Sequence, residues 1–470
     1  MGFVFMRPVT VLIFFALPVA GCSSMGWRGH WNTAPNPQTP WSGGATAAVD
    51  GDDPLPAVGS AALVGQVDLD LALLVDMAFD NNPEVCRLWH GARAAAARGR
   101  AAIAPMLPHA DLSCATSREW KDGLGQHGHA TASAMPSLEI TWRLFSFGSD
   151  LATAKMAQCQ LQAANFAHSR ALQTLLFQVQ SAYFSLNAAE ATVEARLAGL
   201  REAEELLALA ESRFQAGLEN RQNCLQARAA MLQARHAWEE ARAKVEQGRA
   251  VLAEVVGVRV SSKFRIRRSR LPENVGAMED VEAMLDRALR CRPDLLALRA
   301  QLGGARFGER AAQRALYPRL VTTLSADRLH TGGVGTAKTA TAAIGLSWDL
   351  FSGMERTAIA LERREDVAIA RANLKTAELK AAGEVWTAYQ DHGAAVRQLE
   401  SAKGLVAAAD ESFHACEIAY RGGLCPFHEL LGAQSRFASA RESFVAAECR
   451  YSLSLASLAY AGADLHCIGQ

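Results

Sequence analysis

The segment Trp142-Arg143-Leu144-Phe145-Ser146 recurs 206 residues later as Trp348-Asp349-Leu350-Phe351-Ser352. The match continues on both sides of this segment. At offsets of 210 before it and 206 after it, the correspondence includes Pro83 with Pro293, Pro108 with Pro318, Ala182-Tyr183 with Ala388-Tyr389, and Gly217-Leu218 with Gly423-Leu424. A register held this long predicts two copies of one unit, 68–257 and 278–463, joined by a basic connector at 258–277.

Around the repeated segment, apolar residues alternate with polar ones. The alternating positions are Leu138, Ile140, Trp142 and Leu144 in the first copy and Ile344, Leu346, Trp348 and Leu350 in the second. A period of two is typical of a β-strand with one apolar face. Together with the runs that precede them, these stretches predict one β-hairpin per copy. We expect strands at about 109–119 and 134–145, and at about 319–329 and 338–351.

Beyond the strands the period changes to seven, with large residues in one series and small residues in another. The large series is Val179, Leu186, Val193, Leu200, Leu207 and Phe214, then Val385, His392, Leu399, Val406, Phe413 and Tyr420. Sustained heptads predict coiled-coil packing, and a single helix over 149–215 would be about 100 Å long. Gly217 and Gly423 are expected to end such helices, giving two helical hairpins with tips near 217 and 423.

The N-terminus predicts export and a lipid anchor. Arg7 precedes about 13 mostly apolar residues, too few to span a bilayer, so 1–21 has the pattern of a signal peptide. It closes with Val19-Ala20-Gly21-Cys22, which resembles a lipobox and makes Cys22 the expected site of acylation. The alternative is an ordinary signal with a chance cysteine. Residues 22–67 then form a lipidated linker, and 464–470 form a short tail.

Composition excludes several classes of protein. The 470 residues carry 48 basic and 48 acidic side chains, and 50% are hydrophobic, with a mean hydropathy of +0.01. Such a chain is too apolar to be disordered and too polar for a helical membrane protein, and its zero net charge gives no support for nucleic-acid binding. HExxH, GxSxG, Walker A and GxGxxG motifs are absent, as is CxxC, so we predict no enzyme activity, no cofactor and no metal site.

Four strands are too few to close a barrel, because closure needs about eight or more. Left alone, they would expose unpaired edges and an apolar face. Strands of this length suit a bilayer crossing, and Trp142 and Trp348 fall where interface aromatics lie. The pattern therefore predicts an α+β membrane protein that oligomerises.

The duplicated unit, the strand ending in Trp-x-Leu-Phe-Ser and the long helix ending in a Phe/Tyr-x-x-Gly-Leu turn resemble the TolC-type outer-membrane efflux proteins, and the lipobox resembles their lipoprotein branch. The resemblance implies a homotrimer in which the hairpins form a 12-stranded barrel in the outer membrane and contact its lipid. The helices would continue that barrel through the periplasm as an α-barrel. A periplasmic adaptor protein and an inner-membrane efflux pump are the implied partners, and small toxic molecules the implied cargo.

The resemblance also implies roles for residues near the tips. Adaptor contact is assigned to Arg213, Phe214, Gly217 and Leu218 at the first tip and to Tyr420, Gly423 and Leu424 at the second. The family often has acidic residues at a periplasmic gate six positions after each tip glycine, where this chain has Asn223 and Glu429. With one carboxylate instead of several, the resemblance does not extend to a strongly acidic gate.

Two alternatives to small-molecule efflux stay open at this point. The same channel could serve a type I system that secretes a protein. A protein of a different class, a lipid-anchored periplasmic coiled-coil stalk without a pore, would explain the heptads but has no use for an apolar β face.

Overall fold

A computed structural model describes residues 31–41, 68–123, 126–259, 265–267, 280–332 and 335–463. Of residues 68, 121–123 and 126–130 it describes the backbone alone. Cys22, the signal peptide and the tail lie outside the described residues, as do most of the linker and connector. In chain order the elements are β1 (Asp68–Leu69), α1 (Leu71–Asn81), α2 (Pro83–Ile103), β2 (His109–Gly123), β3 (Gln126–Phe145), α3 (Ser149–Gln215), α4 (Arg221–Val256), β4 (Arg265–Ile266), α5 (Val281–Cys291), α6 (Pro293–Arg314), β5 (Arg319–Thr331), β6 (Gly335–Ser347), α7 (Glu355–Arg421) and α8 (Phe427–Gly462).

The two copies fold alike. Helices α3 and α7 each have 67 residues, and α4 and α8 each have 36. In each copy, the second helix (α2 or α6) begins with a proline in its first turn, Pro83 or Pro293, which separates it from the helix before it (α1 or α5). Proline suits this position because the first turn of a helix has no intrahelical partner for its N–H groups. The duplication is therefore confirmed, including a long helix over 149–215.

The two hairpins form one antiparallel sheet in the order β2-β3-β5-β6. Strands β2 and β3 pair as far as Gly123 with Gln126, so the strands extend well past the predicted 119 and 134. Strand β6 covers 335–347 instead of the predicted 338–351. It ends at Ser347 because Ser347 pairs with Arg319, the first residue of β5, and no residue of β5 remains to pair with Trp348.

The heptad residues form the helical core. In α3 and α7, the members Val179, Leu186, Leu200, Val385, Leu399 and Phe413 are each at most 6% exposed. Helix α3 packs against α2 and α4 of its own repeat and against α6 and α8 of the other. The ion pairs Arg196–Glu442 and Arg441–Glu202 join α3 to α8 at 2.6 Å each. Among the described residues, none of the helices is apolar over a length that would cross a membrane.

Residues 31–41, the N-terminal strap, lie along α2 and α3. Trp31 covers Gly99, where any Cβ would lie 2.0 Å from the indole ring. The indole N–H of Trp89 donates to the Ala34 carbonyl at 3.0 Å, and the Asn165 amide donates to Asn32 at 2.9 Å. Because strap carbonyls accept hydrogen bonds from side chains of α2 and α3, the strap is packed on these helices and its path along them is fixed.

One strap contact predicts a pH dependence. The His168 Nε2 atom lies 2.8 Å from the Pro37 carbonyl oxygen, and burial lowers the pKa of His168 although this hydrogen bond favours the charged ring. Burial also lowers the pKa of His392, whose Nδ1 atom lies 2.9 Å from Ser454 Oγ. Since both histidines take up a proton more readily when unfolded, they stabilise the fold at neutral pH, and this contribution is lost as the pH falls below about 6.5.

We therefore expect a lower Tm at pH 5.0 than at pH 7.5, measured by scanning calorimetry. The pH-dependent loss should decrease in order from wild type to His168→Gln to the double variant His168→Gln/His392→Gln. An equal loss in all three proteins would contradict the assignment of this dependence to the two histidines.

Candidate functional site

Both helical hairpins turn through the same hydrogen-bonded cap. Gly217 and Gly423 have φ of +72° and +77°. The N–H of Leu218 donates to Arg213 O at 2.9 Å and that of Leu424 to Ala419 O at 2.8 Å. Each glycine N–H donates to the carbonyl three residues before it. These are Schellman motifs, which satisfy the last carbonyls of a helix and favour glycine in the left-handed position.

The tips present apolar side chains to solvent. Leu218 is 68% exposed, Leu424 is 87% exposed and Phe214 is 46% exposed. No described atom lies within 4 Å of the place that a Cβ would take at Gly217 or Gly423. The structure thus gives each tip a protruding leucine and an open backbone, features suited to contact with a partner.

Tyr420 differs from the sequence expectation. Its side chain is 2% exposed and packs in a tilted arrangement against Phe427, with ring centroids 5.6 Å apart. The aromatic anchor predicted for the second tip is therefore buried, because the first turn of α8 covers it. Only the leucine of that tip, Leu424, has the exposure that the prediction requires.

The buried Tyr420 belongs instead to a set of side chains that joins the two hairpins. We call Arg213, Glu219, Asn223 and Tyr420 the tip network. The Arg213 guanidinium carbon lies 4.7 Å from the centroid of the Tyr420 ring, and Arg213 Nη1 donates to the Tyr420 carbonyl at 3.3 Å. The Tyr420 hydroxyl donates to Glu219 Oε2 at 2.7 Å. Three of the residues come from repeat 1 and one from repeat 2, so the network holds the repeats together at their tips.

Glu219 is the shared acceptor of the network. Its Oε1 accepts from the Asn223 side-chain amide at 2.6 Å and from the Asn220 N–H at 3.2 Å. Burial alone would raise its pKa, but the bonds from Tyr420, Asn223 and Asn220 outweigh burial and lower it. Burial, followed by the bond to Glu219, raises the pKa of Tyr420. The network therefore consists of a carboxylate and a neutral phenol at neutral pH.

The structure separates the two predicted gate residues. Asn223 lies in the tip network, whereas Glu429 is exposed in the first turn of α8 and accepts a weak hydrogen bond from Cys425 Sγ at 3.4 Å. Cys425 is one of seven described cysteines with a free thiol, while Cys291 is disulfide-bonded.

Sequence reasoning missed Glu219. A carboxylate two residues after a helix cap is typical of a solvated turn, and its partner Tyr420 is 201 residues away. The repeat itself contained a signal, because the equivalent position in the second copy is Cys425. A glutamate accepts strong hydrogen bonds and a cysteine thiol forms weak ones, so this position distinguishes the first tip from the second.

At the other end of the molecule, the sheet has two chemically distinct faces. In the register, even-numbered residues share one face. This even face carries Leu112, Leu138, Ile140, Leu324, Ile344 and Leu346. The odd face carries Asp111, Glu119, Glu139 and Asp327, together with most of the serines. Such segregation is typical of a sheet between an apolar and an aqueous medium.

Trp142 and Trp348 mark the helix-proximal border of the even face. The Trp142 indole N–H donates to Met106 O at 2.9 Å, and that of Trp348 donates to Leu316 O at 3.0 Å. Both carbonyls belong to the segment between a helix and the following strand. The two indoles thus occupy equivalent positions, apolar on one side and hydrogen-bonded on the other, as in residues of a membrane interface.

Two surfaces of the protomer lack a partner among the described residues. Strands β2 and β6 are the open edges of the sheet. Helix α7 packs against α5, α6 and α8 of its own repeat. The rest of its surface exposes Ile359, Leu361, Ile369, Leu379, Trp386, Leu405 and Ile418. In the equivalent helix α3, the exposed large apolar side chains are Leu151 and Phe214. Helix α3 is therefore covered by helices of the other repeat, whereas the equivalent surface of α7 is uncovered among the described residues. We call this uncovered surface of α7, together with the strand edges, the open side of the protomer.

Comparison with known proteins gives consistent matches. A family model described as outer membrane efflux protein matches residues 74–258 and 284–462. Protein CyaE of Bordetella pertussis is 30% identical over 458 residues, which cover 95% of this chain and 93% of that protein. The outer membrane protein VceC from Vibrio cholerae aligns with a TM-score of 0.73 at 19% identity, over 83% of this chain and 95% of VceC. The Campylobacter jejuni CmeC outer membrane channel aligns with a TM-score of 0.75 at 18% identity, over 83% and 85% of the two chains.

Proposed function

Since the chain belongs to the family of outer membrane efflux proteins, we propose that three copies of it form the outer-membrane channel of a tripartite efflux system. In this system an inner-membrane pump and a periplasmic adaptor deliver small toxic molecules to the channel. The cargo enters at the helical tips and leaves through the strands.

The observation that carries the proposal is the open side of the protomer. Four strands cannot close, but β6 of one copy and β2 of the next run antiparallel when the copies are arranged in a ring. Three copies give 12 strands, with the even face toward lipid and the odd face around water. The same arrangement covers the exposed apolar side of α7. A periplasmic stalk without a pore leaves both features unexplained.

Purified protein tests the channel directly. We expect trimers by crosslinking in detergent and stepwise conductance in planar bilayers, because a polar odd face encloses an aqueous path. A variant that lies away from both features, such as Arg290→Gln on the exposed surface of α5, should behave as wild type. Protein that is not trimeric and gives no conductance would exclude the channel.

Adaptor docking at the tips rests on Leu218 and Leu424. Their exposure is costly for an isolated protein and favourable for one that docks a helical partner. The tip network connects the ends of the two helical hairpins. Because these ends must separate for the periplasmic entrance to widen, the network holds the entrance closed.

The strap supports lipidation at Cys22. From Trp41, which lies against Phe166, to Trp31, which lies against Gly99, the strap runs toward the end of α2 that leads into the sheet. Trp31 lies nine positions after Cys22, a distance of at most about 30 Å when the chain is extended. Acyl chains on Cys22 can therefore reach the periplasmic surface of a membrane that surrounds the sheet.

We expect Cys22→Ser to abolish incorporation of labelled palmitate, because the thiol is the group that would be joined through a thioether to the glyceryl group carrying the acyl chains. Trimer formation should persist, since the strap and the sheet are unchanged. Cys114→Ser, at an exposed cysteine of the even face, is the matched control and should label normally. Persistent labelling of Cys22→Ser would exclude the lipobox assignment.

A further inference from the structure

The even face carries a basic pair that neither the fold nor the pore explains. Arg328 of β5 lies directly opposite Lys338 of β6. Both side chains are exposed, and neither forms a hydrogen bond or ion pair with any described residue. Like charges directly opposite each other destabilise a β-ladder, so the pair costs the isolated protein stability.

The acidic residues of the sheet offer no compensation. Among the described side chains of the four strands, every carboxylate is on the odd face. Within the same set of described side chains, the charged residues of the even face are Arg118, Arg328 and Lys338. A face with cations and no described anion is electrostatically complementary to a negatively charged ligand.

A groove adjoins the pair, and Pro136 accounts for its position. Proline is unusual in a central strand because it cannot donate to the ladder, and the pairing of β3 with β5 is interrupted between Ala134 and Ser137. The groove at this interruption has a volume of about 410 Å³. It is lined by Leu112, Leu138, Ala326 and Ala340, with Arg328 and Lys338 in the adjoining row of the ladder. The odd-face residue Asp327 also borders the groove but forms no ion pair with either cation. An apolar trough that ends in two cations matches an acyl chain joined to an anionic headgroup.

The height of the pair on the sheet agrees with this ligand. Lys338 lies ten positions before the interface residue Trp348. At about 3.4 Å per residue and a tilt of about 40°, they span about 26 Å along the barrel axis. Because the apolar band of outer-membrane barrels is about 25 Å tall, Arg328 and Lys338 lie at its far border, on the side of the hairpin ends.

We propose that Arg328, Lys338 and the groove beside Pro136 bind a phosphorylated lipid of the outer leaflet. This inference rests on the proposed function, which places the even face in lipid. The guanidinium of Arg328 binds the phosphate in a bidentate manner, Lys338 adds a second charge, and an acyl chain lies over Leu138 and Ala326. The lipid thereby neutralises the like charges that the ladder brings together.

Binding is tested with the purified, full-length protein by native mass spectrometry in detergent. The probes are bis-phosphorylated lipid A, the same lipid without its phosphates, and inorganic phosphate as a competitor. Wild type should bind the phosphorylated lipid about tenfold to thirtyfold more tightly than the dephosphorylated one. Arg328→Gln/Lys338→Gln should lose this preference, while Arg328→Lys should keep part of it.

The control Arg87→Gln/Arg290→Gln removes two positive charges from the exposed surfaces of α2 and α5 and should keep the full preference. Equal binding of both lipids by wild type would overturn the proposal, and so would a preference that survives in Arg328→Gln/Lys338→Gln. Displacement by inorganic phosphate at the concentration of the lipid would assign the site to free phosphate and overturn it as well. Conductance of the same samples separates the two hypotheses, because a conducting protein without lipid preference contradicts only this inference.

Discussion

Tyr420→Phe is expected to widen the periplasmic entrance and raise the mean conductance in planar bilayers. The substitution deletes the hydroxyl that donates to Glu219 at 2.7 Å and keeps the ring that packs on Phe427. A hydrogen bond to a charged group contributes about 1.5 to 3 kcal/mol. Its loss shifts the equilibrium between joined and separated hairpins by roughly tenfold to a hundredfold. Glu219→Gln should have a smaller effect in the same direction, because the amide still accepts a hydrogen bond.

Tyr460→Phe is the matched control for this experiment. Its hydroxyl lies 3.1 Å from Thr174 Oγ1 and also joins the two repeats, but far from the tips. We expect wild-type conductance from this variant. Conductance of Tyr420→Phe indistinguishable from that of Tyr460→Phe would show that the tip network does not hold the entrance.

Replacing both tip glycines, Gly217→Val and Gly423→Val, is expected to abolish efflux and adaptor crosslinking without preventing trimer formation. Each glycine has a left-handed φ that a β-branched residue adopts at a cost of about 1 to 3 kcal/mol. The population of each native turn then falls about fivefold to more than a hundredfold, and Leu218 and Leu424 lose their orientation. The barrel and the heptad core lie far from the substitution.

Two measurements check this outcome: crosslinking to a co-expressed periplasmic adaptor, and ethidium efflux from cells that lack their own channel. Gly91→Val is the control, because Gly91 is exposed within α2 and no described atom lies within 4 Å of its Cβ position. Normal crosslinking by the double tip variant would contradict docking at the tips.

Periodicity predicted the parts of this fold that depend on local pattern. The 67-residue helices followed from the heptads, since a repeat of seven is a property of each helix alone. The strand ends did not follow, because the ladder extends through the polar, glycine-rich ends of β2 and β3 where apolar alternation stops. The strap was expected only as a linker. Its contacts are made by backbone carbonyls and two tryptophans, and these leave no periodic pattern in the sequence.

The candidate site likewise has features that local sequence predicts and features that depend on contacts between distant segments. The caps at Gly217 and Gly423 depend on local geometry and could be expected from glycine after a long helix. The burial of Tyr420 and its bond to Glu219 depend on how repeat 2 packs against repeat 1. The opposition of Arg328 and Lys338 depends on the register of β5 with β6. Neither pair has a signature within a single segment of sequence.

The duplicated caps have a consequence for the valency of docking. The proposed trimer has six tips of two alternating kinds, all ending in a Schellman glycine followed by leucine. A substitution in one repeat alters three of them and leaves the other three intact. Since simultaneous engagement multiplies weak contacts into strong attachment, losing half of the tips lowers avidity far more than twofold.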